Sequence, residues 1–331
     1  MRIFKQLGFL TVVLGAAALA ACGGGGDDSG PEPVTYSGNT SQATITESNA
    51  QPVSEQAFGS GGPAGSFAIA SVTGGSDDGE GSALLGMATT LRAAIGNIDP
   101  ATAALPTAAP VSESGTVSGS CGGTMSFSIS GDDVTGQFAG SISFANFCEG
   151  DGTVNGSASF SGSFDQASGF GTFSLTFAHL TFSGGGESVT MTGSIAFSDM
   201  GGSERVSMTM DYRDNVTGKT FRVVSYTLVI TDLGGEEQVS VSGRFYHHDY
   251  GYVDLSTPVP LMIRLFDEYP YAGQLLVEGA NSAVRVTFMD TIPPSFTLEV
   301  DTDGDGTWDS QGTCNWDADC AIDPIAPPAP V

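Results

Sequence analysis

The sequence predicts a mainly β fold: an antiparallel meander of about a dozen strands, curled into a barrel, a half-barrel or two layers, with one or two short helices packed on or inside it. Three observations lead there. From Gly115 onward apolar residues alternate with serine and threonine, so each strand has one apolar face and one small polar face. Glycine- and aspartate-rich breaks recur roughly every 15 to 18 residues, the spacing of long strands joined by hairpins. Few connections are long enough for crossover helices, which favours a meander over a parallel sheet.

Taken in order, Val34 to Gly59 reads as two short strands and a helix, with Ser48 as N-cap and Pro52 in the first turn. A short apolar stretch, Ser66–Ala70, precedes an acidic loop. Ser82 to Asn97 is the clearest helix, because Leu84, Ala88, Leu91, Ile95 and Ile98 follow three- and four-residue steps onto one face, and Asp99-Pro100 ends it. Its expected role is to pack against the sheet, since a closed barrel of this size is too wide for strand side chains alone to fill. A bound lipid is the other candidate filling.

The strands follow. Met125, Phe127 and Ile129 alternate with serines, as do Val154, Ala158, Phe160 and Phe164; Val189, Met191, Ile195 and Phe197 alternate with serine and threonine. The pattern continues through Val206–Tyr212, Val239–Phe245, Val284–Phe288 and Phe296–Val300. Its phase slips between Phe177 and Leu180, which predicts a β-bulge or a change of environment at His179. Thr220 to Thr231 is apolar at both parities and reads as a central or doubly covered strand.

The amino end carries Arg2 and Lys5, then an apolar run to Ala18, then Leu19-Ala20-Ala21-Cys22. This is a secretory signal, too short for a comfortable transmembrane span. Leu-Ala-Ala-Cys resembles the lipobox of bacterial lipoproteins. The resemblance implies cleavage after residue 21, diacylglycerol and a further acyl chain such as palmitate on Cys22, and a stable lipid anchor. Gly23 after the cysteine implies the outer membrane. Residues 22–33 then form a glycine-rich acidic tether with little to bury. The expected organisation continues with packing elements over 34–110, the antiparallel β domain over 111–300, an acidic calcium-type loop with a disulfide over 301–322 and a proline-rich disordered tail over 323–331.

The chain has ten basic and 37 acidic residues; loss of Arg2 and Lys5 with the signal leaves a net charge of −29. Such a balance disfavours nucleic acid and anionic lipid as electrostatic partners and suits a surface that gathers divalent cations. Beyond Cys22, an even set of cysteines in an exported chain implies disulfides: Cys121, Cys148, Cys314 and Cys320. Four allow three pairings. The local one, Cys121–Cys148 with Cys314–Cys320, is expected because each pair brackets a hairpin-like segment. A zinc site is the alternative, without a nearby histidine or a C-x-x-C to support it.

The most specific chemical motif is Asp301-Thr302-Asp303-Gly304-Asp305-Gly306-Thr307-Trp308-Asp309. Oxygen donors at alternate positions, with glycine at the sixth, can converge on a hard cation while the chain turns sharply. Asp301, Asp303, Asp305 and Asp309 would offer side-chain oxygen, and Thr307 its carbonyl, to a structural Ca2+. Position twelve is Gly312 instead of a glutamate, so Asp317 and Asp319, fixed by Cys314–Cys320, would complete the shell; a solvated acidic turn is the competing reading. His247-His248-Asp249-Tyr250 could serve as a metal or acid/base site but reads better as an exposed turn. No G-x-S-x-G, H-E-x-x-H or P-loop occurs, and the expectation is a protein that is not an enzyme.

Three stretches together carry a wider resemblance: TSQATITESNA, the cysteine hairpin CGGTMSFS to FANFCEGDGTVNGS, and the closing strand with DTDGDGTWD. The chain resembles uncharacterised secreted or outer-membrane lipoproteins of Gram-negative bacteria. That implies a cell-envelope location and supplies no catalytic residues. The expected function is a lipid-anchored envelope protein, structural or interaction-mediating; the alternative is a carrier that encloses a lipid or other apolar ligand, and an envelope-polymer hydrolase comes last. The expected partners are the membrane, through the lipid, and an envelope protein or apolar ligand.

Overall fold

Every strand in the computed structural model pairs with its sequence neighbour, giving one fifteen-stranded antiparallel meander that does not close. The structure describes residues 32–58, 111–131, 135–149, 152–165, 169–184, 187–199, 202–264, 269–315 and 320–325. The apolar stretch Ser66–Ala70 and the expected helix at Ser82–Asn97 lie outside the described residues, as do Cys22, residues 23–31 of the tether, Asp317 and Asp319.

The strands are β1 (Val111–Ser118), β2 (Gly122–Gly131), β3 (Gln137–Glu149), β4 (Gly152–Asp165), β5 (Gly169–Gly184), β6 (Glu187–Asp199), β7 (Ser203–Asp214) and β8 (Thr220–Asp232). After these come β9 (Glu236–His247), β10 (Gly251–Arg264), β11 (Ala272–Gly279), β12 (Ser282–Met289), β13 (Ser295–Asp301), β14 (Ser310–Asn315) and the two-residue β15 (Asp323–Pro324). Alternation puts the expected residues inside: Met125, Ile142, Ile195, Leu228, Phe245, Val284 and Leu298 belong to one buried apolar cluster. Burying a side chain of this size contributes about 1.5–3 kcal/mol, which is why alternation alone dictates the register.

Glycines on the inner face of the first strands have a packing role. The Phe160 ring lies over Gly140, the Phe138 ring over Gly162, and the Phe127 ring over Gly115. A Cβ on Gly140 would stand 2.1 Å from the Ser128 carbonyl oxygen and 2.3 Å from the Phe160 ring. The ring occupies the space that a cross-strand side chain would otherwise fill.

A line of irregularities crosses the sheet. Register shifts fall at Phe144/Phe147 in β3, at Phe177/Leu180 in β5, at Met208/Met210 in β7, at Val224/Thr227 in β8 and within Ser256–Met262 in β10. Asn146 and Ser225 adopt positive φ there, and Gly156 (φ 120°) flanks the β5 bulge. A Cβ on Gly156 would stand 2.2 Å from the His179 carbonyl oxygen, so glycine alone fits. Bulges bend strands and increase twist, and a line of them curls a sheet along one axis.

This line explains two expectations. The phase slip at His179 is a bulge. The apparent two-faced strand β8 is a phase switch: Phe221 and Val223 are buried before Ser225, Tyr226, Leu228 and Ile230 after it, while Val224 and Val229 are half-buried. Thus β8 is central but buries one face only.

The expected short strands before the helix are replaced by a strap. Val34, Tyr36, Ser37 and Ile45 donate their N–H groups to side chains, respectively Thr192 Oγ1, Asp211 Oδ2, Thr220 Oγ1 and Ser282 Oγ. A chain that crosses strands cannot join their ladder, so side-chain acceptors satisfy it. One parallel bridge, Gln42 with Tyr252, is its only ladder contact among the described residues. The helix α1 (Ala50–Phe58) then packs on β9, β12 and β13. Asn49, not Ser48, precedes it, with Asn49 Oδ1 accepting the Thr46 N–H at 2.8 Å. Pro52 does stand in the first turn. No described helix is long and apolar enough to cross a membrane, which leaves strands unaddressed.

Candidate functional site

The acidic motif is the β13–β14 hairpin loop. Asp301 ends β13 and is 5% exposed. Its carboxylate organises the turn: Oδ1 accepts the N–H groups of Asp303 (3.3 Å) and Gly304 (2.7 Å), and Oδ2 accepts the Gly306 N–H (3.0 Å). Gly304 and Gly306 have φ of 74° and 85°, the left-handed region this sharp turn needs. Asp309 closes the loop from its far end, Oδ2 accepting from Thr302 N (2.8 Å) and Thr302 Oγ1 (2.7 Å). Those bonds hold its carboxyl below the usual aspartate range.

Asp301, Asp303 and Asp309 each bring one carboxylate oxygen within 4.8 Å of the others. Asp305 is not in this group; its Oδ1 accepts the Thr307 N–H at 2.7 Å. No ion pair among the described residues neutralises any member of the triad. Three hard anionic oxygens at this spacing suit a divalent cation bound through oxygen, and the same loop is already held by its own hydrogen bonds. The four other cysteines pair locally, Cys121 with Cys148 and Cys314 with Cys320.

The histidine pair does form a turn, between β9 and β10, but His247 is buried at 4% exposure. Its Nδ1 accepts the Asp249 and Tyr250 N–H groups at 3.0 and 3.4 Å. Tyr250 packs over the ring at 4.4 Å, and Phe221 and Phe245 meet it edge-on. Burial pushes its pKa down to about 4. His248 Nδ1 instead accepts from Thr220 N at 3.2 Å. The two imidazoles fasten the hairpin and do not converge.

Sequence reasoning missed a second constellation. Arg222 bonds Asp211 through two nitrogens and lies over Tyr36 and Tyr246. Arg244 does the same with Asp254 and Tyr252, Arg264 with Asp290 and Tyr271, and Arg285 pairs with Glu299 beneath Trp308. The available signal was the clustering of basic residues between Arg205 and Arg285.

At the opposite end of the strands from the acidic loop, Phe138, Phe173 and Phe197 line an open groove of about 750 Å³ with Gln137, Ser163 and Thr172. Comparison of the chain with protein-family models, with curated proteins and with solved structures gives no match.

Proposed function

We propose that this chain is a non-enzymatic, lipid-anchored cell-envelope protein, structural or interaction-mediating, whose acidic hairpin holds a structural Ca2+. Leu19-Ala20-Ala21-Cys22 after an apolar run carries the reading, because acylation there fixes location independently of the fold. The outer sheet face supports a scaffold role: Arg222, Arg244, Arg264 and Arg285 are each engaged by a carboxylate and an aromatic ring instead of facing a common cleft. Mass spectrometry of the mature amino terminus should find an acylated Cys22, and Cys22→Ser should release the protein from the membrane fraction. An unmodified terminus, or a variant that still sediments with membranes, overturns the anchor.

For the cation, Asp301, Asp303 and Asp309 supply the converging oxygens. Millimolar Ca2+ should raise the melting temperature and EDTA lower it, and Asp303→Asn should blunt the response. No shift with Ca2+ overturns the site.

A further inference from the structure

The two edges of the sheet are finished differently. At one end β14 is covered: β15 pairs with it over Asp323 and Pro324, the Ile325 N–H donates to the Asp309 carbonyl, and the Cys320 N–H donates to Gln51 Oε1 of α1. Cys314–Cys320 ties this cover to the strand, and Pro324 has no N–H to offer a further one. At the other end β1 pairs with β2 over eight consecutive residues without a register shift, and with no other strand among the described residues. Bulges, prolines and lysines are what blunt an edge against further pairing. β1 has none of them, and Glu113 is its only charged residue.

The groups on this open edge follow from the ladder. The Gly119 N–H donates to the Gly123 carbonyl, a pair that continues the β1–β2 register. Bonded and unbonded pairs alternate along an antiparallel ladder, so the backbone groups of Gly115 and Val117 point to β2 and those of Ser112, Ser114, Thr116 and Ser118 point away from it. A second copy of β1 fits these groups. Laid antiparallel with Ser114 opposite Ser114, it sets Ser112 opposite Thr116, Val111 opposite Val117 and Glu113 opposite Gly115. Every residue then meets one from the same face of the sheet, valine with valine and hydroxyl with hydroxyl, and the two Glu113 positions are not opposed. Ser114 already continues the row of Ser128, Ser141 and Ser159, so the row would run through the two-fold axis into the second sheet. Cross-strand hydroxyl pairs are favourable, and a self-complementary patch is what a two-fold dimer requires.

From this pattern we infer that β1 is a self-pairing edge, through which two copies of the chain join into one continuous antiparallel sheet. Ser112, Ser114 and Thr116 of each copy exchange the backbone bonds. A single strand pair buries little area, and each copy is strongly acidic, so the dimer dissociates on dilution and tightens when salt screens the repulsion. The interaction-mediating role thereby gains a partner, a second copy, and the pairing depends on neither the lipid anchor nor the cation.

Disulfide trapping tests it in the full-length chain. Opposed residues of a bonded pair have Cα atoms about 5.5 Å apart, within reach of a disulfide. Ser114→Cys, oxidised at high salt, should therefore give a covalent dimer. Ser141→Cys, exposed in the same row but two strands inside the edge, should stay monomeric. No dimer from Ser114→Cys, or as much dimer from Ser141→Cys, overturns the inference. As an independent measurement, sedimentation of the unsubstituted chain should show a mass that rises toward twice the monomer with concentration. Ser114→Pro removes an N–H from the open edge and should hold the chain monomeric with little change in melting temperature. A chain that is monomeric at every concentration, or a folded proline variant that dimerises as the original does, overturns it too. The trapping keeps the test decisive should the proline variant fail to fold.

Discussion

The two halves of the sheet solve the same packing problem with different chemistry. Strands β1–β6 have no lysine or arginine, and their outer face is a lattice of small hydroxyls. In register, Ser128, Ser141, Ser159, Thr176 and Ser194 form one row across five strands. Neighbouring hydroxyls bond each other, as Ser163 with Thr172 and Thr181 with Thr190 do. Inside, phenylalanine rings lie over glycines. Strands β7–β13 carry Arg–carboxylate pairs roofed by aromatic rings outside, and a mainly aliphatic core within. The first half therefore depends on shape, since a ring and a glycine must meet in register. The second depends more on charge, since each guanidinium is partly withdrawn from water and needs its carboxylate.

This contrast can be broken from either side. The largest effect is expected in the first half: Phe160→Ala removes a ring 4% exposed and leaves Gly140 facing a void, a loss of about 3–5 kcal/mol in denaturant unfolding. The reciprocal change, Gly140→Ala, should cost about 1–3 kcal/mol by overpacking, because backbone as well as ring stands in the way. A neutral result for both would remove shape as the explanation.

In the second half, Arg222→Ala should cost about 1–3 kcal/mol, since it strips two charge-assisted bonds from Asp211, which also holds the Tyr36 N–H. Exposed Lys219–Asp249 should contribute less than about 1 kcal/mol, and its loss should be masked by salt. Equal losses at the two pairs would show that burial is not what sets their value.

His247 adds a pH dependence confined to the second half. Its folded pKa, about 4, lies below its ordinary 6.5, so the unfolded chain binds the proton more readily. Its stabilisation is present above pH 6.5 and declines as pH falls from 6.5 toward 4. His247→Gln should flatten that part of the stability–pH curve, as read by urea midpoints. An unchanged slope would assign the decline to other groups.

Much of the sheet was legible because period-two alternation is a local signal: Phe127, Phe160 and Val284 face inward as their neighbours' polarity demands. The bulge at His179 was legible as a slip in that period. Its companions at Asn146 and Ser225 were not recognised, although Val223 and Tyr226 carry the same signature. The apolar Val224 and Val229 hid the phase switch and made β8 look two-faced. The strap could not be read, since its partners Thr192, Asp211, Thr220 and Ser282 are scattered over some ninety positions of sequence.

By itself the sequence determined the strand class, the antiparallel meander, the two local cysteine pairs and the acidic turn. Each rests on residues close together in the chain. Only the tertiary structure decided that the sheet stays open, that Asp301, Asp303 and Asp309 converge while Asp305 turns away, that His247 is buried, and that arginines meet carboxylates across strands. Those outcomes depend on which distant strands become neighbours and how bulges curl them, and no local pattern encodes that geometry.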